Sequence, residues 1–324
     1  MQQLAARTVK SEARRLGFAA CGLAPAGPLS PQRAASVRRW LAAGRNAGMD
    51  YMARHVEMRL DPRRLVEGAQ TVVCVALNYN PGRVMPPDAY AIARYAYGRD
   101  YHDVMRERLR ALMAALGLQE FADGRPFCDT APLDERYWAV QAGIGWQGRN
   151  CQLILPGAGS YFVLGELLLR LPADVYDTPM SPHCGTCRRC IEACPAGALD
   201  DDGLDARRCL SCLTIEHRGP LPDGLGRLMG RSIYGCDRCA EVCPHNRFAR
   251  PTDVPDFRPS DALMHMTKAD WQALTPEQYR TLFKGSAVKR AKYEGLVRNI
   301  RAVSADTPPA GTAQDRPADD IPRT

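Results

Sequence analysis

The chain has 324 residues, enough for two or three domains with a sizeable buried core. Hydrophobic residues make up 45% and charged residues 24%, as in an ordinary globular protein. No stretch approaches the about 20 continuous apolar residues that a membrane span needs. The net charge of +7 permits a polyanionic partner without demanding one, because nearly all basic residues are arginines and that bias often reflects genome composition.

The N-terminus contains a pair of arginines, Arg14 and Arg15, before a short apolar stretch, which imitates a twin-arginine export signal. The apolar stretch is short for such a signal, and Leu4, Val9 and Leu16 recur at helical spacing. We therefore expect a helix leading into a strand, and a cytoplasmic protein.

Residues 1–175 alternate between helical and strand patterns. An apolar, β-rich run predicts a buried strand over residues 71–79, and helical spacing predicts a helix from Met105 to Leu116 that ends at Gly117. Two further strands are expected over residues 152–155 and 161–169. This alternation favours an α+β or α/β domain.

The rest of the chain divides by composition. Residues 176–250 are rich in Cys, Pro and Gly, which is typical of a module held by metal centres more than by an apolar core. Residues 251–303 are helical and basic, and residues 304–324 have the composition of a disordered tail.

Thirteen cysteines are present, and nine of them lie between Cys184 and Cys243 in short Cys-x-x-Cys units. The odd count and the clustering argue against disulfides. Thiolate ligands of this kind belong in a reducing compartment.

The first cysteine group follows the C-x2-C-x2-C-x3-C-P spacing of bacterial two-cluster ferredoxins, in which three thiolates hold one 4Fe–4S cluster and the fourth ligates the other. The same crossing rule predicts two ligand sets. The first set is Cys184, Cys187, Cys190 and Cys243; the second is Cys194, Cys236, Cys239 and one residue of the pair Cys209 and Cys212. Two zinc sites are the alternative, which the three-cysteine run ending in Cys-Pro disfavours.

Two adjacent clusters pass single electrons, so the first domain must hold a redox cofactor or the substrate. The segment from Gly143 to Gly148 contains a lone G-x-G-x-x-G match, but it follows no strand pattern and opens no clear helix. A nicotinamide site is therefore not expected there.

Several segments together carry a family resemblance: residues 94–103 (RYAYGRDYHD), 129–132 (DTAP), 142–150 (AGIGWQGRN), 209–216 (CLSCLTIE), 234–246 (YGCDRCAEVCPHN) and 285–299 (GSAVKRAKYEGLVRN). With the cysteine run, they resemble epoxyqueuosine reductases over about residues 5–303. The resemblance implies an enzyme with cobalamin and two 4Fe–4S clusters that reduces epoxyqueuosine at the tRNA wobble position to queuosine.

The resemblance also implies site residues. Asp129 is expected to be the general acid, which requires burial to raise its pKa well above the usual value near 3.9. Cys209 completes the second cluster and Cys212 is left as a spare thiol. The residues implied at the cobalamin are Arg59, Asp129, Gly148, Cys151, Ser211 and Asp237. No D-x-H-x-x-G motif supplies a lower histidine ligand, which favours base-off cobalamin.

For tRNA, the candidate contacts are Arg94, Tyr97, Asp134, Glu135, Arg136, Lys289, Arg290 and Arg298, since arginine and lysine suit phosphates and aromatic rings stack on unpaired bases. The HEAT-repeat extension of some family members is not found after the basic helices. The other expectations are a low-potential electron donor, a monomer and no membrane partner.

Two alternatives stay open at this point. A corrinoid reductive dehalogenase shares the cofactor set, although such enzymes are usually exported. A pure two-cluster electron-transfer protein would have no substrate site and would purify without cobalamin.

Overall fold

The structure is a computed structural model, and it describes residues 3–306. The α-helices are α1 (Ala6–Arg15), α2 (Pro31–Ala42), α3 (Val56–Leu60), α4 (Tyr101–Ala115), α5 (Glu135–Gln141), α6 (Arg189–Glu192), α7 (Leu210–Ile215), α8 (Leu225–Met229), α9 (Arg238–Glu241), α10 (Asp261–Met264), α11 (Lys268–Gln272), α12 (Pro276–Leu282) and α13 (Lys292–Asp306). Short 3-10 helices cover Asp50–Met52, Pro62–Arg64, Arg94–Ala96, Pro244–Phe248, Pro255–Phe257 and Ala287–Ala291.

The strands are β1 (Ala20–Pro25), β2 (Thr71–Asn78), β3 (Ala91–Ile92), β4 (Gly124–Phe127), β5 (Trp146–Gln147), β6 (Leu153–Ile154), β7 (Phe162–Leu169), β8 (Leu199–Asp200), β9 (Gly203–Leu204) and β10 (Ser232–Tyr234). The main sheet has the order β1-β2-β7-β4, and each neighbouring pair is antiparallel. Its central strand β2 is buried on both faces, which explains its continuous apolar sequence.

Helices cover both faces of this sheet, as a mixed α and β fold requires. On one face, α1 and α4 bury Val9, Leu109 and Leu112 against β2 and β7. On the other face, α5 buries Trp138 and Ala139. The predicted helix and strand at the N-terminus are confirmed as α1 and β1, so the paired arginines lie at the end of an amphipathic helix.

A separate apolar cluster joins the C-terminal helices to the cysteine-rich region and to residues 85–97. Asn299 of α13 is fully buried at this junction. Its Nδ2 atom donates to the carbonyls of Thr214 and Ile233, both at 2.8 Å. Because Thr214 lies in α7 and Ile233 in β10, α13 is tied to the elements that carry the second cysteine group.

Most predicted elements are confirmed, including β2 and the helix that ends before Gly117, whose φ is +69°. The two strands expected after residue 150 form, but they do not pair with each other: β6 pairs with β5, and β7 pairs with β2 and β4. Helix α13 extends to Asp306, so the first residues of the predicted tail are helical, and residues 307–324 lie outside the described residues. Within residues 3–306, the helices are all too short or too polar to cross a bilayer.

Candidate active site and cysteine module

Asp129 lies in the loop between β4 and α5, where it has a φ of +57°. Its Oδ2 atom accepts a hydrogen bond from the Tyr101 hydroxyl at 2.8 Å and lies 3.1 Å from Nε2 of His102. Tyr101 and His102 are the first residues of α4, whose N-terminus is capped by Asp100. The loop after β4 and the start of α4 therefore position the Asp129 carboxylate together.

The charges in this group favour a proton on His102. Burial alone would lower the pKa of His102, but hydrogen bonds to Asp100 and Asp129 and their negative charges raise it to about 9. The surrounding protein raises the pKa of Asp129, but the bonds from His102 and Tyr101 and the charge of His102 outweigh this effect and lower it. The expectation of a raised Asp129 pKa is therefore wrong for this structure, because a cationic partner that the sequence did not reveal lies beside the carboxylate.

Asp129 is also accessible. Its side chain is 58% exposed, so a molecule that arrives from solvent can reach the carboxylate. Its negative charge contributes to raising the pKa values of two neighbours, Tyr51 and Arg290, although burial dominates for Tyr51 and the bond to Glu216 dominates for Arg290. These interactions place Tyr51 and Arg290 near Asp129, and the surface around these three residues is called the cleft below.

Arg59 lies near this cleft and is 9% exposed. Its Nη1 atom donates to the Leu133 carbonyl at 3.2 Å, whereas its Nε atom is buried with no hydrogen-bond partner among the described residues. Burial lowers the pKa of the guanidinium despite the nearby carboxylates. An orphaned donor in this position fits a polar group of a bound cofactor.

The other cofactor candidates are more scattered. Cys151 has a φ of +59° and lies near Arg33 and Arg136, and Ser211 is half-buried in α7. Gly148 packs against the chain itself, since a Cβ there would come within 2.7 Å of Asn150 and 2.6 Å of Ile154.

Asp237 is engaged by the backbone of Arg94. Its Oδ2 atom accepts the backbone N–H of Arg94 at 2.8 Å, and burial raises its pKa to about 6. The contact with Arg94 gives Asp237 a structural role and does not favour the predicted cobalamin contact.

The cysteine thiols interact mainly within two neighbourhoods, and Cys239 and Cys190 link them. Cys243 interacts electrostatically with Cys184 and Cys187, and Cys190 interacts with Cys243 and Cys184. Within residues 3–306, no three His, Cys, Asp or Glu side chains converge on a site for one metal ion. The thiols of this first set are therefore neighbours without being packed around a single ion.

The second neighbourhood is built by α7, β10 and α9. Cys236 interacts with Cys209 and Cys194, and Cys239 interacts with Cys236 and Cys209. The Cys194 Sγ atom accepts the backbone N–H of Ala198 at 3.2 Å. The structure thus groups Cys209, and not only the Cys-x-x-Cys pair, with Cys194.

Cys212 lies in the first turn of α7, three residues after Cys209, which caps the N-terminus of that helix. Burial and the charges of Cys209 and Glu216 raise its pKa to about 12, and its charge is felt by Tyr51 in the cleft. The role of Cys212 as a spare thiol stays a prediction.

The predicted tRNA contacts divide into buried and exposed residues. Tyr97 is 6% exposed and its hydroxyl accepts the N–H of Met85, while Asp134 is 8% exposed and pairs with Arg33 at 2.7 Å. Arg298 donates to the carbonyls of Leu213, His217 and Gly219. These three side chains are satisfied inside the protein, so their placement argues against a tRNA contact.

Two further candidates are also engaged. Arg94 pairs with Glu241 at 3.1 Å and stacks on Tyr161, and Glu135 lies beneath Asp129, where its Oε1 atom accepts the Asp129 N–H. Arg136 and Lys289 are exposed, and Arg290 is half-exposed while pairing with Glu216. The exposed basic candidates are thus Arg136, Lys289 and Arg290.

Sequence reasoning missed Tyr101, His102 and Glu166 as site residues. Tyr101 and His102 lie in the segment 94–103 that carries the family resemblance, but the motif alone gives them no role beside Asp129. Glu166 was hidden in an apolar strand, where a lone charged residue was the available signal. The three positions converge only in the folded chain.

Comparison with known families agrees with this geometry. Residues 59–130 match the family described as "Epoxyqueuosine reductase QueG, DUF1730", and residues 183–246 match a 4Fe-4S double cluster binding domain. The fold and the cysteine module define an iron–sulfur oxidoreductase with a double-cluster domain.

Individual relatives narrow this class. The chain is 43% identical to the epoxyqueuosine reductase of Leadbetterella byssophila, covering 92% of this chain and 97% of the relative, and 39% identical to that of Pseudomonas aeruginosa, covering 94% and 86%. A solved epoxyqueuosine reductase bound to an epoxyqueuosine-modified stem loop of tyrosine tRNA superposes with a TM-score of 0.84 at 28% identity, covering 93% of this chain and 80% of that one. The chain belongs to the epoxyqueuosine reductase family.

Proposed function

We propose that the chain reduces the epoxide of epoxyqueuosine in tRNA to the alkene of queuosine. The observation that carries the proposal is the accessible Asp129 carboxylate, held by Tyr101 and His102 in a chain that also contains a 4Fe–4S double-cluster domain. The solved relative bound to a modified tRNA stem loop supports tRNA as the substrate. The reaction consumes two electrons and two protons and releases water.

Cobalamin is the proposed cofactor of the cleft. The residues that would hold it are Arg59, through its orphaned Nε donor, and the half-buried Cys151 and Ser211. When bound, base-off cobalamin supplies a strongly nucleophilic, reduced cobalt for attack on an epoxide carbon. The orphaned, buried donor of Arg59 supports this assignment, because such a group ordinarily has a partner.

Asp129 and His102 supply the proton. The oxygen released from an opening epoxide is a poor leaving group until it is protonated, so a general acid must reach it. At neutral pH the proton lies on the imidazolium of His102, whose Nε2–H donates to the carboxylate of Asp129. The proton passes from His102 to Asp129 and then to the oxygen of the opening epoxide. Asp129 touches the substrate, and His102 recharges it from solvent through its partly exposed ring.

The cysteines supply the electron path. Cys184, Cys187, Cys190 and Cys243 form one proposed ligand set, and Cys194, Cys209, Cys236 and Cys239 the other. The neighbourhood of Cys209, Cys212 and Tyr51 lies towards the cleft, which makes the second set the one next to the substrate. Residues 1–175 then form the catalytic domain and residues 176–250 the electron-transfer domain.

The tRNA face is proposed to include Arg136, Lys289 and Arg290. These residues come from two parts of the chain near Asp129. Arg136 follows Glu135 in α5, and the negative charge of Asp129 helps to raise the pKa of Arg290, which follows Lys289. Their guanidinium and ammonium groups suit the phosphates around an anticodon loop. A low-potential, single-electron donor is the other expected partner.

The test combines the protein, cobalamin and a low-potential reductant with tRNA that contains epoxyqueuosine, followed by nucleoside mass analysis. Conversion to queuosine that requires cobalamin is the expected result. No conversion by a preparation that contains both iron–sulfur clusters and bound cobalamin would overturn the proposal. Dehalogenation of a halophenol by the same preparation would instead point to a corrinoid dehalogenase.

A further inference from the structure

Glu166 is an acidic residue at the centre of the main sheet. It lies in β7, opposite Cys74 of β2 and Phe127 of β4, and it is fully buried. By strict hydrogen-bond geometry, neither of its carboxyl oxygens has a partner among the described residues. Burying a carboxylate without partners costs several kcal/mol, so such a group is expected to be neutral or to share a proton.

The neighbour that accounts for Glu166 is Glu135, the first residue of α5. Glu166 lies on the sheet face that α5 covers, because its register partners Cys74 and Phe127 belong to the apolar cluster on that side. The carboxyl of Glu135 is close enough for a side-chain hydrogen bond once one of the two groups carries a proton. Two adjacent buried carboxyls cannot both ionise easily, so the pair keeps one proton.

Burial and the charge of Asp129 raise the pKa of Glu135 to about 7, and burial and the charge of Glu135 raise the pKa of Glu166 further from its ordinary value. The titratable groups that face the pair are Asp129 and Cys128 from the β4–α5 loop, Asp134 and Arg136 at α5, His102 from α4, Cys74 from β2 and Arg59 from α3. These values belong to the coupled pair and describe two successive proton losses.

Glu135 connects this pair to Asp129. The Oε1 atom of Glu135 accepts the backbone N–H of Asp129, whose own backbone is in the left-handed region. The Asp129 carboxylate is held from the opposite side by Tyr101 and His102 of α4. Asp129 is thus held through its side chain by Tyr101 and His102 and through its backbone N–H by Glu135.

We propose that Glu135 and Glu166 share one proton and act as positioning residues that hold the backbone of Asp129, with the Glu166 carboxyl donating to Glu135 and the Glu135 carboxylate accepting the Asp129 N–H. No bond other than O–H is made or broken. This inference rests on the proposed function for its effect on turnover, but the pair itself is a property of the fold.

Infrared difference spectroscopy tests the pair without turnover. At pH 8, the wild-type protein should show the C=O stretch of a protonated, buried carboxyl, and Glu166→Gln should remove it. Cys74→Ala is the matched control, because it alters the residue opposite Glu166 and should leave the band in place. Absence of the band in wild type, or its persistence in Glu166→Gln, overturns the inference.

Turnover tests the positioning. Glu135→Gln should lower kcat by about tenfold with little change in KM, and it should remove a rising limb of the pH profile near 7. Glu166→Leu should also lower kcat, whereas Glu166→Gln, whose amide still donates to Glu135, should restore most of that loss and move the limb to lower pH. An unchanged limb in both Glu135→Gln and Glu166→Gln contradicts the inference. If wild type shows the infrared band but does not convert tRNA, the proposed function fails and the pair stands.

Discussion

The ring of His102 bridges two carboxylates: its Nε2 atom lies 3.1 Å from Oδ2 of Asp129, and its Nδ1 atom lies 2.6 Å from Oδ1 of Asp100. Both nitrogens can donate at once only in the imidazolium form. The geometry therefore fixes where a proton is stored next to Asp129.

The first prediction concerns pH. The pKa of His102 is raised to about 9, so the cation is present at neutral pH and is lost as the pH rises through 9. We expect kcat to fall over that interval, and His102→Gln to lower kcat and to remove the falling limb. Rate profiles under single-turnover conditions measure this. An alkaline limb that is the same in wild type and His102→Gln would contradict the assignment.

The same contacts affect stability. A histidine whose folded-state pKa is raised stabilises the fold fully below its ordinary pKa near 6.5, and this contribution disappears as the pH rises through the folded value. The loss of stability between pH 7 and 9 should therefore be smaller in His102→Gln than in wild type. Chemical unfolding at several pH values measures the difference.

The second prediction separates chemistry from binding. Asp129→Asn keeps the shape of the side chain but cannot donate a proton as an acid, so turnover should fall by at least about a hundredfold. Cobalamin binding, followed by absorbance, should persist. Asp103→Asn is the control, since Asp103 also lies near the start of α4 and pairs with Arg106 at 2.8 Å instead of with His102. Retained turnover in Asp129→Asn would remove Asp129 as the proton donor.

Much of this architecture is predictable from local patterns. The apolar run of β2 and the spacing of α4 are set by burial, and the cysteine spacing is set by cluster geometry, so both are read directly from the chain. Pairing is different. Nothing local indicates that β7 lies between β2 and β4, because strands so far apart in sequence are paired by long-range packing.

The site shows the same division. Asp129 stands out through its surrounding motif, but its pKa depends on His102, which lies 27 residues earlier and approaches only through the packing of α4. Glu135 and Asp134 are neighbours in sequence with polar side chains, yet one supports Asp129 and the other caps α5 and pairs with Arg33. The charges of Glu135 and Asp134 in the sequence could not distinguish these structural roles from a contact with tRNA.

The third prediction distinguishes two cysteines of α7. Cys209 interacts with Cys194, whereas Cys212 interacts with Cys209, Glu216 and Tyr51. After anaerobic purification, wild type and Cys212→Ser should each contain about eight iron atoms per chain, as two 4Fe–4S clusters require. Cys209→Ser should lose iron or show an altered second cluster by electron paramagnetic resonance. Iron loss in Cys212→Ser but not in Cys209→Ser would make Cys212 the cluster ligand and Cys209 the spare thiol.

The fourth prediction concerns the nucleic acid. Arg136→Ala and Lys289→Ala each remove an exposed cation beside the cleft, so each should weaken tRNA binding. Each should also lower the slope of log Kd against log salt concentration by about 1, because one phosphate contact is lost. Arg227→Ala in α8 is the control. Fluorescence anisotropy at several salt concentrations measures the slopes. Equal slopes in all of these variants and wild type would exclude Arg136 and Lys289 from the interface.

The last prediction concerns the connection between α13 and the cysteine module. Asn299 is fully buried, and its amide donates to the carbonyls of Thr214 and Ile233 at 2.8 Å each. Asn299→Leu would leave two buried carbonyls without donors, and we expect a loss of about 2–4 kcal/mol in unfolding free energy. Arg301→Ala, at an exposed position of the same helix, should change stability by less than about 0.5 kcal/mol.

Urea unfolding followed by tryptophan fluorescence measures both variants. Because α7 and β10 carry or adjoin Cys209 and Cys236, the loss in Asn299→Leu should be accompanied by faster release of iron from the proposed second cluster. Equal stability of Asn299→Leu and Arg301→Ala would mean that the apolar contacts of α13 alone hold it in place. Destabilisation without faster iron release would mean that α13 and the cysteine module unfold independently.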